Sequence, residues 1–343
     1  MRNETRLVFN HYLDRQAQLN QAPAAVVRGE KAFSIEPSIQ QKLNEKQQED
    51  SAFLKAINLI TVDEMKGEKL GMGIGGPLAS RTNTDAADRA TRDPTTLDQQ
   101  GYEVVQTNSD THVSYAKLDQ WAKFPDFQNR MRSVITKRQA LDRIMIGWNG
   151  TSAAATTNIV ANPLLQDVNK GWLAHARAYD GGSHVFADGP VGVGKIIVKA
   201  SGGGDYRNLD ALVVDLVHNL LPSWAREDPN LVAIIGAGLL HDKYYPLVNA
   251  NLAPTETLAA DLVISQKRIG NKKAVTVPYF PADAIAITRL DNLSIYEQAG
   301  KRRRTIVDNA KRNRIETYES SNDGYVIEDF DFFCAAEKVE IQE

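Results

Sequence analysis

The sequence predicts an α+β chain, and three observations carry that prediction. Helical periodicity dominates the first half, short β-rich runs broken by Pro, Asp and Asn fill the last third, and one helix–strand–helix stretch links them. A length of 343 residues with 42% hydrophobic residues is enough to bury a sizeable core without disulfides.

Residues 3–20 place Leu7, Val8, Phe9, Tyr12, Leu13 and Leu19 among charged positions, the pattern of an amphipathic helix. QAPAAVVRGEKAFSIEPS then mixes proline, glycine and exposed charge, and reads as a flexible, protease-accessible connector. SIQQKLNEKQQEDSAFLKAIN follows as a largely polar helix with an apolar end, better suited to an arm than to a core. In residues 62–116 the runs EKLGMGIGG and YEVVQTNSDTHVSY flank a strongly polar tip. They read as the two strands of a long excursion, and because an isolated hairpin is marginal in water, a neighbouring subunit is expected to order it.

PDFQNRMRSVITKRQALDRIMIGWNG carries the strongest helical signal. Pro125 suits a first turn, Phe127, Met131, Val134, Ile135, Leu141, Met145 and Trp148 recur at helical spacing, and Gly150 lies where the helix stops. At 1.5 Å per residue such a helix spans roughly 35 Å. YRNLDALVVDLVHNLLPSWARE then reads as a helix, NLVAIIG as a buried strand and AGLLHDKYYPLVN as another helix. AVTVPYF, AIAITRL, LSIYEQ, RRTIVD, RIETYES, YVIEDFD and FFCAAEKVEI read as an antiparallel set of short strands.

Composition narrows the function. A net charge of −3 provides no global attraction to polyanions, no stretch approaches the length of a membrane span, and the charged N-terminus lacks a secretory h-region. The expected compartment is the cytoplasm. The lone Cys334 excludes an intrachain disulfide or a cysteine-based zinc site and reads as a core residue.

GPVGVGKI (189–196) matches a phosphate-binding loop except at its last position, where Ile196 replaces the hydroxyl residue that holds Mg²⁺. Such loops need a helix starting at the lysine, and here IIVKASGGG follows Lys195. A surface turn is the reading adopted, with a nucleotide-binding enzyme as the alternative. The six histidines form no ligand pair on one helix face, no G-x-S-x-G elbow occurs, and nothing nominates a catalytic group, a metal site or a cofactor. One charge cluster remains: Lys301, Arg302, Arg303, Arg304, Lys311, Arg312 and Arg314 accompany only Asp308 before Glu316. It reads as a solvated hairpin tip, a salt-bridging subunit surface or a contact for nucleic-acid phosphates.

MRNETR, FSIEPS, VDEMKGEK, LDQWAKFPDFQNR, KRQALDRIMIGWNG, NPLLQDVNKGWL and GGDYRNLDALVVD, with EDPNLVAIIG and the long stretch from LAADLVISQKRIG to DNLSIY, span the chain in order. In them the sequence resembles the major capsid proteins of peduovirus-type tailed bacteriophages, a branch of the tailed-phage capsid fold. Agreement is weakest at about 80–101 and at 176–203, the segment containing GPVGVGKI. The resemblance implies a structural virion protein with no enzymatic activity and no cofactor. It implies a scaffold-like N-terminal segment (1–33) cleaved near Phe33 and Ser34, an N-terminal arm (34–61) and an extended loop (62–116). A peripheral domain (117–205 and 325–343) would carry the long spine helix, and an axial domain would span 206–324. Implied partners are further copies of the chain in hexamers and pentamers, a scaffolding protein, a maturation protease, a portal protein and packaged double-stranded DNA. Assembly is expected in the host cytoplasm.

Overall fold

The computed structural model describes residues 1–49, 51–74, 79–84, 88–91, 95–121, 127–249 and 267–342. In chain order the first elements are α1 (Asn3–Leu19), α2 (Ala24–Arg28), β1 (Phe33–Ser34), α3 (Pro37–Glu49), α4 (Ala52–Ala56) and β2 (Asn58–Val62). Next come β3 (Lys66–Ile74), β4 (Thr95–Glu103), β5 (Val105–Asn108), β6 (Thr111–Ser114), α5 (Tyr115–Trp121) and α6 (Phe127–Asn149). The middle of the chain supplies α7 (Trp172–Ala178), β7 (Val185–Phe186), β8 (Ile196–Lys199), α8 (Leu209–Leu220), β9 (Val232–Ile235) and α9 (Ala237–Asn249). The last part holds β10 (Arg268–Ile269), β11 (Lys272–Val275), β12 (Ile285–Thr288) and β13 (Leu293–Gln298), then β14 (Arg303–Asn309), β15 (Arg314–Ile327), β16 (Phe333–Ala336) and β17 (Val339–Gln342).

Two sheets organise the molecule. The larger runs β1-β14-β15-β13-β2, with β5 and β6 also paired to β15, and the second runs β10-β11-β9-β12-β16-β7. Pairings within the expected set are antiparallel, β12 with β16 and both β13 and β14 with β15, but the two sheets are mixed because earlier strands join in parallel: β2 beside β13, β9 beside β11, and β7 beside β16. Strands contributed from earlier in the chain impose these parallel pairings, and no run read in isolation reports its partner.

The excursion is also corrected. β3 pairs with β4, from Lys66 opposite Glu103 to Ile74 opposite Thr95, while the run after 102 supplies β5 and β6 to the larger sheet. TTLDQQGYE escaped notice because it is polar and carries no apolar alternation. Pro125 lies outside the described residues, as does much of the expected polar tip.

Among the described residues of α6, burial concentrates toward its C-terminal half. Ile144, Ile146 and Trp148 are buried, whereas Val134, expected on the apolar face, is 67% exposed. The helix ends at Gly150, whose N–H bonds the Ile146 carbonyl at 2.8 Å; a Cβ there would lie 2.1 Å from the Asn169 carbonyl oxygen. Trp148 and Trp172 meet edge to face at 5.0 Å, and Trp172 reaches Tyr325 of β15 at 5.4 Å. This aromatic stack ties the long helix to the larger sheet, worth about 0.5–1.5 kcal/mol per pair beyond area burial.

A second core packs α8 on the smaller sheet, with Leu212, Leu216, Ile285, Ile287 and the fully buried Cys334 at its centre. Asn208 caps α8 by accepting the Ala211 N–H at 2.7 Å. Packing divides the chain differently from the expected 206–324 unit: Leu293 and Ile295, inside it, share a core with α6, whereas Cys334, Ala336 and Val339, expected in the peripheral part, share one with α8. A third, smaller core joins Leu13, Ala17, Val27 and Phe33 to Ile306 and Ile315 beneath the N-terminal segment.

Candidate assembly surfaces

The Phe33–Ser34 bond lies in an edge strand. β1 pairs antiparallel with β14, Phe33 opposite Arg304 and Ser34 opposite Arg303, and the next residue donates its N–H to the Arg302 carbonyl at 2.9 Å. Alternation along β1 buries the Phe33 ring in the third core and leaves Ser34 outside, where its hydroxyl donates to the Gly300 carbonyl at 3.1 Å. The expected connector is anchored at Val27, Phe33 and Ile35, which are buried, while residues 23–25 and 28–32 between and before these anchors are exposed.

Further contacts hold residues 1–33 to the body. Asp308 of β14 accepts the Arg6 guanidinium at 2.9 Å and the Tyr115 hydroxyl, and its own N–H donates to Glu30 Oε1 at 2.9 Å. Burial together with the Asp308 carboxylate pushes the Tyr115 phenol up to about 12, so it remains a donor at neutral pH. The Arg2 N–H donates to Asp119 of α5 at 3.0 Å.

The basic cluster is divided by the strand alternation that the linear sequence conceals. Arg302, 3% exposed, donates to Glu319 at 2.8 and 2.6 Å and lies 3.4 Å from Glu297. Arg304 pairs with the other oxygen of Glu319 at 2.7 Å and reaches Gln16 of α1 at 3.3 Å, while Arg314 is held by Glu316 at 2.6 Å. Lys301, Arg303, Lys311 and Arg312 are exposed, the first two at one end of the β14–β15 hairpin and the last two at its tip. The neutralising carboxylates lay 15 and 17 residues from Arg304 and Arg302, beyond any local window, although the antiparallel register sets Arg304 opposite Glu319.

These pairs belong to a larger buried network. Arg143 of α6 donates from Nη2 to Glu297 and Asp323, both at 3.1 Å, and from Nη1 to Gln47 at 2.9 Å and Asn44 at 3.3 Å on α3. Gln139 Oε1 accepts from both Arg302 and Gln47 at 3.3 Å. Three guanidinium groups thus meet three carboxylates, and the formal charge cancels. Burial raises the Glu319 carboxyl, but Arg304 and Arg302 outweigh it and carry it down to about 2. Burial dominates at Asp323, whose carboxyl is raised despite Arg143 beside it. Arg143 itself fell on no notable motif, since one arginine on an amphipathic helix reads as solvent-facing.

GPVGVGKI forms a turn leading into β8, with Gly194 at φ +72° and no helix after Lys195. Four backbone N–H groups of the loop that would face a phosphate, those of Gly189, Val191, Gly194 and Lys195, are already taken within the chain. Asp205 accepts from Val191 at 2.6 Å and Ile197 at 2.7 Å, Asp188 accepts from Gly194 at 2.5 Å, and Lys195 pairs with Glu340 at 2.6 Å. Carboxylates occupying those donors would repel a phosphate, which disposes of the nucleotide-binding alternative.

Among the described residues no group of three or more His, Cys, Asp or Glu side chains could hold a metal ion, and no helix is long and apolar enough to cross a membrane. What the fold offers is surface, with an apolar tip at Val193, 95% exposed, and others at Ile159 and Val160. Its most concentrated chemistry is an ion network sealed between elements.

Comparison with known proteins accounts for that design. Residues 8–339 match the family model described as phage major capsid protein, P2 family. The chain is 47% identical over 345 aligned positions to the capsid proteins of Escherichia phage P2, covering 99% of this chain and 96% of that one. It is 39% identical to the major capsid protein of Serratia phage KSP20, with 96% and 95% covered. Among solved structures it is similar to a chain of the satellite phage P4 procapsid that includes the size determination (Sid) protein, at 44% identity, TM-score 0.81 and coverage of 100% and 99%. A more distant likeness, 17% identical with a TM-score of 0.52 and coverage of 85% and 90%, is to the capsid of an empty GTA particle and speaks to the fold alone. The fold is that of tailed-phage capsid subunits and the role is structural, in the virion rather than in catalysis: the chain belongs to the P2 family of phage major capsid proteins.

Proposed function

We propose that copies of this subunit assemble into hexamers and pentamers, close around a scaffolding protein into a procapsid, and mature by proteolysis and expansion around double-stranded DNA. The observation that carries this reading is the full-length likeness, at 44% identity, to a subunit of a procapsid. A closed shell needs one chain to occupy several slightly different environments, and arms attached to a firm α/β body supply that tolerance.

In this reading residues 1–33 are the scaffold-like segment, removed by a maturation protease at Phe33–Ser34. Proteases bind substrates as extended strands, so the two-residue β1 has to peel from β14 first, and its short pairing keeps that step accessible. Residues 34–61 serve as the arm, and the β3–β4 ribbon lies across a neighbouring subunit. The body built on α6 acts as the peripheral domain and the body built on α8 as the axial domain. A portal protein occupies one vertex. The exposed remainder of the basic cluster, Lys301, Arg303, Lys311 and Arg312, meets either packaged DNA or a neighbouring subunit.

Electron microscopy of the purified protein tests assembly, with shells or capsomers expected and permanent monomers counting against it. Mass spectrometry of mature particles tests cleavage: the expected chain begins at Ser34, and an intact Met1–Ser34 segment overturns the site.

A further inference from the structure

α3 is seated in an unusual way for a helix on a sheet. The side chains it buries are Gln40, Leu43, Asn44 and Gln47, a single leucine among three amides. Water replaces amide partners at little cost, whereas it cannot replace apolar packing. The Oε1 of Gln40 is buried without a hydrogen-bond partner, a further sign of a weakly fastened seat. The polar face of α3 is held by Arg143, through Gln47 and Asn44, by Gln139, through Gln47, and by a long 3.5 Å contact from Gln40 Nε2 to the Gln298 carbonyl.

The same two residues connect α3 to the N-terminal segment, Arg143 through shared carboxylates and Gln139 through its hydrogen bond from Arg302. Arg143 divides Glu297 with Arg302, Arg302 divides Glu319 with Arg304, and Arg304 reaches Gln16 of α1. No carboxylate in this series belongs to one arginine alone. Displacing α1 and β1 admits water to Arg304 and Glu319, and an ion pair weakens steeply as the local dielectric rises. A less firmly held Glu319 frees Arg302 to draw on Glu297, which loosens the hold of that carboxylate on Arg143. Arg302 also feeds Gln139, giving a second and shorter route to Gln47.

We propose that this buried ion chain couples the seating of residues 1–33 on the sheet to the seating of α3 on α6, so that displacing the first loosens the second. The element with two states is α3, docked or undocked, and both ends of the chain bias it. The coupling belongs to the folded subunit and does not depend on cleavage at Phe33–Ser34.

The test is amide hydrogen exchange on the full-length chain carrying Leu13→Asp and Ala17→Asp, which introduce charge into the small core under α1 without touching the ion chain. Exchange in residues 3–19 should rise, protection of α3 should fall at least about tenfold, and α8, remote from the network, should be unchanged. Released α1 with undisturbed α3 protection overturns the proposal. If α8 also loses protection, the variant has unfolded and the decision passes to a milder cycle of Gln16→Ala, Gln47→Ala and their combination. Coupling predicts that the double variant loses α3 protection by at least about twofold less than the product of the single effects; strictly multiplicative effects overturn it.

Discussion

Arg302 and Glu319 lie 2.6 Å apart, nitrogen to oxygen, with side chains 3% and 6% exposed, beneath the N-terminal segment. A desolvated pair of this kind is costly to leave half-made. Arg302→Met strands Glu319 on Arg304 alone and Glu297 on Arg143 alone, and should destabilise the subunit by about 3–5 kcal/mol. Urea denaturation measures it, and the double variant with Glu319→Gln should be less destabilised than the summed singles.

Acid sensitivity follows from the same carboxylate. Because Glu319 titrates near 2 in the folded subunit against an ordinary value of 4.5, its contribution is complete above pH 4.5 and is lost as pH falls from there toward 2. The full contribution is about 3 kcal/mol. Asp323, raised above its ordinary 3.8, works in the opposite sense, since the folded state takes up its proton first and recovers stability below that raised value. Stability measured between pH 5 and pH 2 should fall for the native chain and fall less for Glu319→Gln. Parallel curves would contradict this assignment.

Gly147 is the point of closest approach between the long helix and α7. A Cβ there would sit 2.4 Å from the Trp172 ring, itself fixed by a 3.2 Å hydrogen bond from Nε1 to the Ser294 carbonyl. Gly147→Ala should cost about 1–3 kcal/mol through overpacking, despite the better helix propensity of alanine. Near-ultraviolet circular dichroism should report a disturbed tryptophan environment.

The GPVGVGKI loop separates two mutations that its motif would rank the other way. Lys195→Ala removes one exposed ion pair, worth less than about 1 kcal/mol, and should leave stability and assembly unchanged. Asp205→Ala removes the acceptor for two backbone N–H groups and should raise amide exchange across 189–197. A nucleotide-binding loop would show the reverse, with lysine dominant.

Among exposed cations, Lys311→Glu with Arg312→Glu at the hairpin tip should not alter folding, because neither side chain joins the buried network. A changed salt dependence of DNA binding would assign the tip to the packaged genome, and an assembly defect on unchanged DNA binding would assign it to a neighbouring subunit.

Local patterns disclosed much of this architecture. Apolar periodicity located α1, the described part of α6, and α8, each within a few residues. RIETYES and YVIEDFD, read as two short strands, are not separate: Asn322, Asp323 and Gly324 between them lie within the 14-residue β15. Asp323 is there to receive Arg143, and Gly324 lets Glu103 approach, since a Cβ would meet its carbonyl oxygen at 2.8 Å. Both reasons involve residues far along the chain.

By itself, then, the sequence determined the α+β class, the helices whose period is 3.6, the burial of Cys334 and the family, because each depends on a local period or an ordered string of residues. Only the tertiary structure decided which strands pair in parallel, that the connector around Ser34 is anchored by Val27, Phe33 and Ile35, and that three arginines of an apparently exposed cluster are neutralised within the subunit. Those outcomes depend on register and on pairing across strands: Glu319 lies 15 and 17 residues from Arg304 and Arg302, and Gln16, which Arg304 also reaches, lies 288 residues away.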